Sequence, residues 1–517
     1  MKKLCILNKK DIDWTIEHLS IYGDTDIFPV LIEYDFLLEA KTKVIEAIQG
    51  ADITQYKPMS LIDVVVPKSK FGFRPAHLMY PYDALLFTTA IVTIGEELEK
   101  RREQVAPNRS YSYRFIQCEN YRFFDNEKSY KEWLIAQRIS YIFNESPSHV
   151  IVTDVSDFYQ RIYHHRIENL LSDYCSNKPI QKLILSFLKS WRARQSFGLP
   201  VGGNGARVLA ELALLDTDRL LLDHGINATR YVDDFAIFVE KNQNAYSILS
   251  MLAAHLISNE GLALSAQKTK ILEWDEYHKA LNFESGEDID SAEDAGIFRL
   301  YWMAYGKDDV DPEALAELQA LDLKRELEEE LAAEYWNIGK IRIILRALRL
   351  TGSTQASVFI RDNFKRLLPF AKEVIWLMSD LKKAGDNTFE SMSGEVIDLL
   401  VSEDLQPLAA TRSWLLESFV KGILPITRQQ LSKLGILNGT LDLRQIYRIR
   451  SALGDVNFFR QNKTRVHELN SWLQPGFLHG ASCLPADEYK TWISTVKSQL
   501  NFPLSNEFCD WCLNNRK

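Results

Sequence analysis

The sequence predicts an α/β domain followed by an all-α domain. Three observations carry that expectation. Arg230-Tyr231-Val232-Asp233-Asp234 runs into the apolar Phe235-Ala236-Ile237-Phe238-Val239, the pattern of strand, tight turn, strand. Val150-Ile151-Val152, followed by Thr153 and Asp154, reads as a second buried strand. Beyond about residue 295 the chain breaks into short amphipathic segments of helical length.

Taken in order, residues 1–150 read as mixed helix and strand. Phe71-Gly72-Phe73-Arg74-Pro75 precedes an amphipathic helix expected from about Ala84 to Arg102. After the 150–154 strand, Gly198-Leu199-Pro200-Val201-Gly202-Gly203-Asn204-Gly205 forms a loop whose glycines allow close backbone approach to a ligand. The same composition also suits an ordinary flexible loop. A helix follows from about Ala206 to Asp223, stopped by Gly225. Downstream of the Asp233-Asp234 turn lies Gly261-Leu262-Ala263-Leu264-Ser265-Ala266-Gln267-Lys268. Lys268 suits a phosphate contact as a point charge, and equally a solvated surface.

The acidic, turn-rich stretch from Glu284 to Asp294 is the expected domain boundary, giving domains 1–295 and 296–517. Asp311-Pro312 supplies an N-cap and a first-turn proline for the next helix. Further helices are punctuated by Gly352, Pro369, Gly385, Pro407, Gly422, Pro425, Gly435 and Gly454. Short helices in series suggest an α-solenoid with degenerate repeats. The absence of a strict period leaves an irregular bundle open. The acidic 326–334 run reads as a solvated helix face.

Composition sets limits. A chain of 517 residues holds two or more domains. Its formal charge of −9 is unusual for a protein that grips long nucleic acid, because neutralising phosphates needs Lys and Arg. Either basic residues concentrate in one cleft or little template is held. The run Lys189-Ser190-Trp191-Arg192-Ala193-Arg194-Gln195 shows local concentration. Six scattered cysteines fit a reduced, cytoplasmic setting, and Cys509-Asp510-Trp511-Cys512 lacks the second pair a zinc site needs. The apolar run near Met1 is too short for a secretion signal, and no stretch reaches membrane-spanning length.

The carboxylates carry the chemistry. Adjacent Asp233 and Asp234 repel inside an apolar context unless a cation lies between them, although a solvated hairpin turn has the same pattern. Asp154 is a third carboxylate at the end of a strand. Strands presenting Asp154, Asp233 and Asp234 at one sheet edge would bind two Mg²⁺ or Mn²⁺ ions, which need oxygen ligands. Such pairs of ions stabilise both oxygens of an in-line phosphoryl displacement.

The order of these motifs resembles the reverse transcriptase palm: Asp154-x4-Tyr159, Leu199-Pro200-x-Gly202 before a helix, Tyr231-x-Asp233-Asp234, then Gly261-Leu262-x-Leu264 with Lys268-Thr269. The resemblance covers roughly residues 20–285. It implies Asp154, Asp233 and Asp234 as catalytic metal ligands for two ions. It implies Tyr159, beside Val155, as the aromatic gate that rejects a ribose 2′-hydroxyl. It puts Leu199, Pro200 and Gly202 at the nascent base pair and Lys268 near the triphosphate. Residues 1–150 then form the fingers, where Arg74 or Arg114 would pair with triphosphate oxygens, their bland reading being surface charge.

Asp154-Val155-Ser156-Asp157-Phe158-Tyr159, Arg230 through Phe235, and Gly203-Asn204 with Arg207 nearby look like the abortive-infection reverse transcriptases of phage defence. That group includes AbiK-like members and ones carried on P2-like prophages. Tyr22-Gly23-Asp24-Thr25-Asp26-Ile27-Phe28 is similar to the group's N-terminal signature. The resemblance implies HEAT-like helical repeats in place of a thumb. It implies untemplated synthesis of single-stranded DNA from dNTPs, with the strand attached to a tyrosine. It also implies a homo-oligomer, trimer or hexamer, and a phage-encoded trigger. Tyr22 is the priming candidate among 21 tyrosines, because Gly23 frees the backbone to present its ring; packing against Phe28 is the alternative. Gly202-Gly203-Asn204-Gly205 departs from the Gly-Ser-Pro pattern of many templated enzymes, and no RNase H pattern follows the palm. A templated enzyme of retron type and a non-catalytic scaffold remain the other two readings.

Overall fold

A computed structural model describes residues 6–138, 147–241, 243–285, 319, 321–352 and 354–516. Most of the expected acidic boundary and the Asp311-Pro312 helix start lie outside the described residues. The chain divides into two compact units, and both are discontinuous in sequence. The first comprises residues 1–25, 45–61 and 77–298; the second comprises 26–44, 62–76 and 299–517.

In chain order the strands are β1 (Ile62–Pro67), β2 (Phe73–Leu78), β3 (His149–Asp154), β4 (Asn227–Tyr231), β5 (Asp234–Val239) and β6 (Lys270–Glu273). The first unit is built on a four-stranded sheet in the order β4-β5-β3-β6, with every neighbour antiparallel. Its two central strands are apolar on both faces. Val150, Ile151, Phe235, Ala236, Ile237, Phe238 and Val239 are all buried, as expected of strands covered on both sides. Edge strand β6 is largely exposed.

Helix Pro81–Val105 is the apolar spine of this unit, opening on a first-turn proline and buried along most of its length. It extends a few residues beyond each expected end. Helix Lys9–Tyr22 packs on it, capped by the Asn8 side chain and ended by Gly23 at φ +69°. The single helix expected from Ala206 to Asp223 is two helices, Asn204–Ala213 and Leu215–Asp223, broken at Leu214. Glu211, before the break, and Asp218, after it, both end on Arg230. That shared ion pair is what the apolar periodicity does not register.

The second unit is helical apart from the β1–β2 hairpin, whose last residues belong to the first unit. Helices Ile338–Thr351, Ala371–Lys383, Ala409–Val420, Thr440–Ala452 and Gln474–Gly480 pack serially, each on the next. Shorter helices lie between them, such as Ser357–Asp362, Ser393–Leu400 and Arg428–Lys433. Helix Ile32–Glu39 packs on Gln474–Gly480 and Ser505–Asn514. Its Glu33 pairs with buried Arg444. In helix Leu323–Ala332, Leu327 and Leu331 are buried while Glu328 and Glu329 pair along the outer face with Lys324 and Arg325. Cys509 and Cys512 are buried free thiols, and burial pushes Cys509 up to about 12. Among the described residues no helix is long and apolar enough to cross a membrane.

Candidate active site

The sheet delivers the three aspartates to one end. β3 and β5 pair so that Asp154 lies opposite Asp234. Asp233 sits in the two-residue connection between β4 and β5, and its carbonyl accepts from Val155 N–H at 3.1 Å. Asp154 is buried, and the Lys268 ammonium rests on its carboxylate. Lys268 is brought there by the 261–270 segment, where Ser265 N–H donates to the Asp154 carbonyl at 2.7 Å.

The connection is strained and firmly held. Val232, a β-branched residue, sits at φ +58°, a region such side chains rarely enter. Its N–H donates to Ser112 Oγ at 2.7 Å and its carbonyl accepts from Arg230 Nη1 at 3.0 Å. Arg230 in turn is buried and pairs with Asp218 at 2.8 Å and Glu211 at 2.7 Å. Glu211 also takes Arg102 at 2.9 Å, Ser110 Oγ at 2.6 Å and Ser112 Oγ at 2.5 Å. Burial disfavours the Arg230 charge, but Asp218 and Glu211 outweigh it and hold the guanidinium above its ordinary pKa. This network fixes both ends of the turn that carries Asp233.

Tyr159 follows Asp157, which is itself in the left-handed region at φ +49°. Its carbonyl accepts from Leu199 N–H at 2.8 Å, tying the gate candidate to the Leu199-Pro200 loop. Burial raises the Tyr159 hydroxyl well above 10; Tyr113 and Asp233 add to the rise and Arg207 opposes it. These influences place Tyr159 in one electrostatic neighbourhood with Asp233 and Arg207. Gly202 stands at φ +130°, where glycine is favoured. A Cβ on Gly203 would overlap Met79 and come within 3.0 Å of Asp24 Oδ1.

Arg207 is the residue that the sequence order named without a role. Its guanidinium lies 5.1 Å from the Tyr113 ring centroid and donates to Asn204 Oδ1 at 3.0 Å. Asn204 Nδ2 donates to His18 Nε2 at 3.0 Å, and His18 Nδ1 donates to the Tyr121 carbonyl at 2.8 Å. Burial lowers His18 to about 4, which keeps it neutral and makes that tautomer consistent. Asp24 is buried with neither carboxylate oxygen hydrogen-bonded; burial lifts it to about 7 against the opposing charge of Arg207. Tyr22 ends helix Lys9–Tyr22. It is 43 % exposed, its ring stands 5.4 Å from that of His18, and its hydroxyl donates to the Asn120 carbonyl at 3.1 Å.

The two candidate arginines are placed differently. Arg114 is buried and its guanidinium is taken up by Glu99 and Glu103, with a third bond to the Ser110 carbonyl at 3.0 Å. It serves as an internal counter-charge. Arg74 belongs to the helical unit, where it lines a cavity with Arg342 and Arg346. Sequence alone gives no sign of either outcome, because the partners come from remote positions.

Oxygen donors of the Asp154, Asp233 and Asp234 kind suit Mg²⁺ or Mn²⁺. Asp154 already accepts a cationic partner in Lys268. Among the described residues no three His, Cys, Asp or Glu side chains converge into a closed metal cage. The donor chemistry and register therefore fit a divalent ion held at an open, solvent-facing sheet end rather than in a dedicated pocket.

Residues 106–285 match the family model described as reverse transcriptase (RNA-dependent DNA polymerase). This segment, which contains all three aspartates, is a reverse-transcriptase domain. No curated protein matches the chain. Solved structures with a loose spatial likeness include the telomerase of Candida albicans in complex with a fragment of telomeric RNA. It is 10 % identical, with a TM-score of 0.33, and the match covers 74 % of this chain and 70 % of that one. Apo telomerase of Candida tropicalis is similar at 10 % identity and a TM-score of 0.31, over 74 % and 72 % of the two chains.

Proposed function

We propose that the protein is a DNA polymerase of reverse-transcriptase type that makes single-stranded DNA without a template. It primes on one of its own tyrosines and acts in abortive infection against phage. The observation that carries the polymerase part is the β3–β5 register, which sets Asp154 opposite Asp234 with Asp233 beside them, inside a reverse-transcriptase domain.

In each step a hydroxyl oxygen attacks the α-phosphorus of a dNTP. A new O–P bond forms, the bond to pyrophosphate breaks, and the hydroxyl proton leaves to solvent. Asp154, Asp233 and Asp234 would hold the divalent ions, which when bound acidify the attacking hydroxyl and neutralise the leaving pyrophosphate. Val232 and Arg230 fix the turn, so that Asp233 needs no reorganisation. Tyr159 closes the sugar side and rejects a 2′-hydroxyl. Lys268, on Asp154, is the cation closest to the reacting phosphates in this reading.

Tyr22 remains the priming candidate: it is exposed at a helix end, and a phenol is more acidic than an alcohol. Its bond to the Asn120 carbonyl must be released for it to react. The serial packing of helices from Ile338 to Gly480 supports a HEAT-like repeat array in place of a thumb, holding the product strand and assembling a trimer or hexamer.

The test is dNTP incorporation by purified protein with Mg²⁺, followed by mass spectrometry after nuclease trimming. Asp233→Asn abolishes incorporation while the circular dichroism spectrum is unchanged; parent-like incorporation refutes the polymerase reading. A nucleotide adduct on the Tyr22 peptide, lost in Tyr22→Phe, supports priming there, and an adduct elsewhere excludes it. The matched family is an RNA-dependent polymerase, which favours a second reading of templated synthesis. Incorporation that requires added RNA selects that reading.

A further inference from the structure

The helical unit contains a cavity of about 480 Å³ whose whole wall belongs to that unit. Its size falls in the range of small-molecule sites, roughly 300–1,000 Å³. The wall carries five cations, Arg74, Arg342, Arg346, Arg349 and Lys372, against the carboxylates of Asp26 and Glu373. A chain with a formal charge of −9 thus gathers an excess of positive charge at one concavity.

The local sequence explains the gathering. Arg342, Arg346 and Arg349 lie four and then three residues apart on helix Ile338–Thr351, and so share one face. Like charges at that spacing repel each other. Lys372 and Trp376 form the matching pair on helix Ala371–Lys383, which packs against the first. Arg342 reaches Glu373 at 3.1 Å, Arg349 reaches Asp380 at 3.1 Å, and Lys372 reaches Asp26 at 2.7 Å. The Lys372 ammonium and the Arg349 guanidinium also lie 4.9 and 5.4 Å from the Trp376 ring centroid, so the ring holds both cations along the wall. Helix-to-helix struts account for Arg342 and Arg349. They do not account for Arg346 between them or for Arg74 delivered from the hairpin, and these two carry the wall's charge beyond what its carboxylates balance.

We infer that this cavity is a phosphate-binding site, taking the polyphosphate of a nucleotide or consecutive phosphodiesters of a single strand. Guanidinium groups match phosphate oxygens in a bidentate fork, and several converging forks select for more than one phosphate. The face of Trp376 is already covered by cations, so recognition rests on phosphate rather than on base stacking. The inference goes beyond the polymerase reading and does not depend on it.

The experiment uses the full-length protein in EDTA, which removes metal-dependent nucleotide binding at the aspartates. The probes are inorganic tripolyphosphate, dATP and a fluorescent oligothymidylate, each titrated against the parent, Arg346→Gln, Arg346→Lys and Asp233→Asn. Arg346→Gln weakens binding roughly tenfold, the scale of one charge-assisted contact, and Arg346→Lys recovers part of the loss. Asp233→Asn binds like the parent, which separates this site from the polymerase reading. A response from tripolyphosphate and dATP but not the strand identifies a free nucleotide as the source. A strand response whose log-log salt slope falls by about 0.7 in Arg346→Gln identifies phosphodiesters. Either supports the site. Equal affinity of the parent and Arg346→Gln for all three probes, with melting curves showing both folded, overturns it, as does no binding at all.

Discussion

Asp24 should make the first unit less stable as pH rises, the reverse of the usual aspartate. It is 4 % exposed, neither oxygen has a hydrogen-bond partner, and burial lifts it from 3.8 to about 7. Between those values the native protein holds a proton that the unfolded chain has released, so unfolding becomes easier with rising pH across that window and levels off above it. A rise of that size corresponds to ~4 kcal/mol at ~1.36 kcal/mol per pH unit, with Arg207 already offsetting part of the burial cost. Asp24→Asn keeps the shape and cannot ionise. Asp83, also raised to about 7 by burial, adds a slope of the same sign, while His18 and His77, lowered by burial to about 4 and about 3, add the opposite one. All three are common to both proteins and cancel in the difference. The assay is urea unfolding at several values from about pH 5 to about pH 8, scored by proteolytic protection of helix Lys9–Tyr22 and helix Asn204–Ala213 peptides. The variant should gain up to ~4 kcal/mol on the parent across that range. A difference that does not change with pH refutes the isolation of Asp24 and the electrostatic link to Arg207.

Two further outcomes follow from the site. Tyr159→Ala should admit ribonucleotides more readily than the parent, measured as the ratio of kcat/KM for an rNTP and its dNTP; an unchanged ratio removes Tyr159 from the gate. Arg230→Met should cost ~3–5 kcal/mol of stability, because Asp218 and Glu211 are left buried without their guanidinium, and should slow incorporation through the freed Val232 turn. Stability close to that of the parent would show that the network does not hold the turn.

The parts of this molecule that were legible in the sequence are those set by local pattern. The runs 150–154 and 231–239 are apolar, short and bounded by carboxylates, and they became β3, β4 and β5 with the aspartates at one end. Positive charge concentrated at one place was foreseen as a way for an acidic chain to meet phosphates. What stayed hidden depends on pairing between distant positions. Apolar periodicity ran straight through Leu214, because hydrophobic spacing carries no record that Glu211 and Asp218 must both meet Arg230. Arg114 and Arg74 were equivalent as letters; Glu99 and Glu103 claim one, and the other joins arginines more than 260 residues away.

The two buried clusters of the first unit explain each other's presence at the aspartates. Val232 needs Arg230 and Ser112 to stay in a costly backbone conformation, and Arg230 needs two acids to be buried at all. That cluster places Asp233 from behind. Arg207, held by Asn204 and shadowed by Asp24, supplies positive charge from the side of Tyr159. A carboxylate turn that must attract cations and a nucleotide edge that must attract phosphate are thereby set by separate supports. A change to one should leave the position of the other intact.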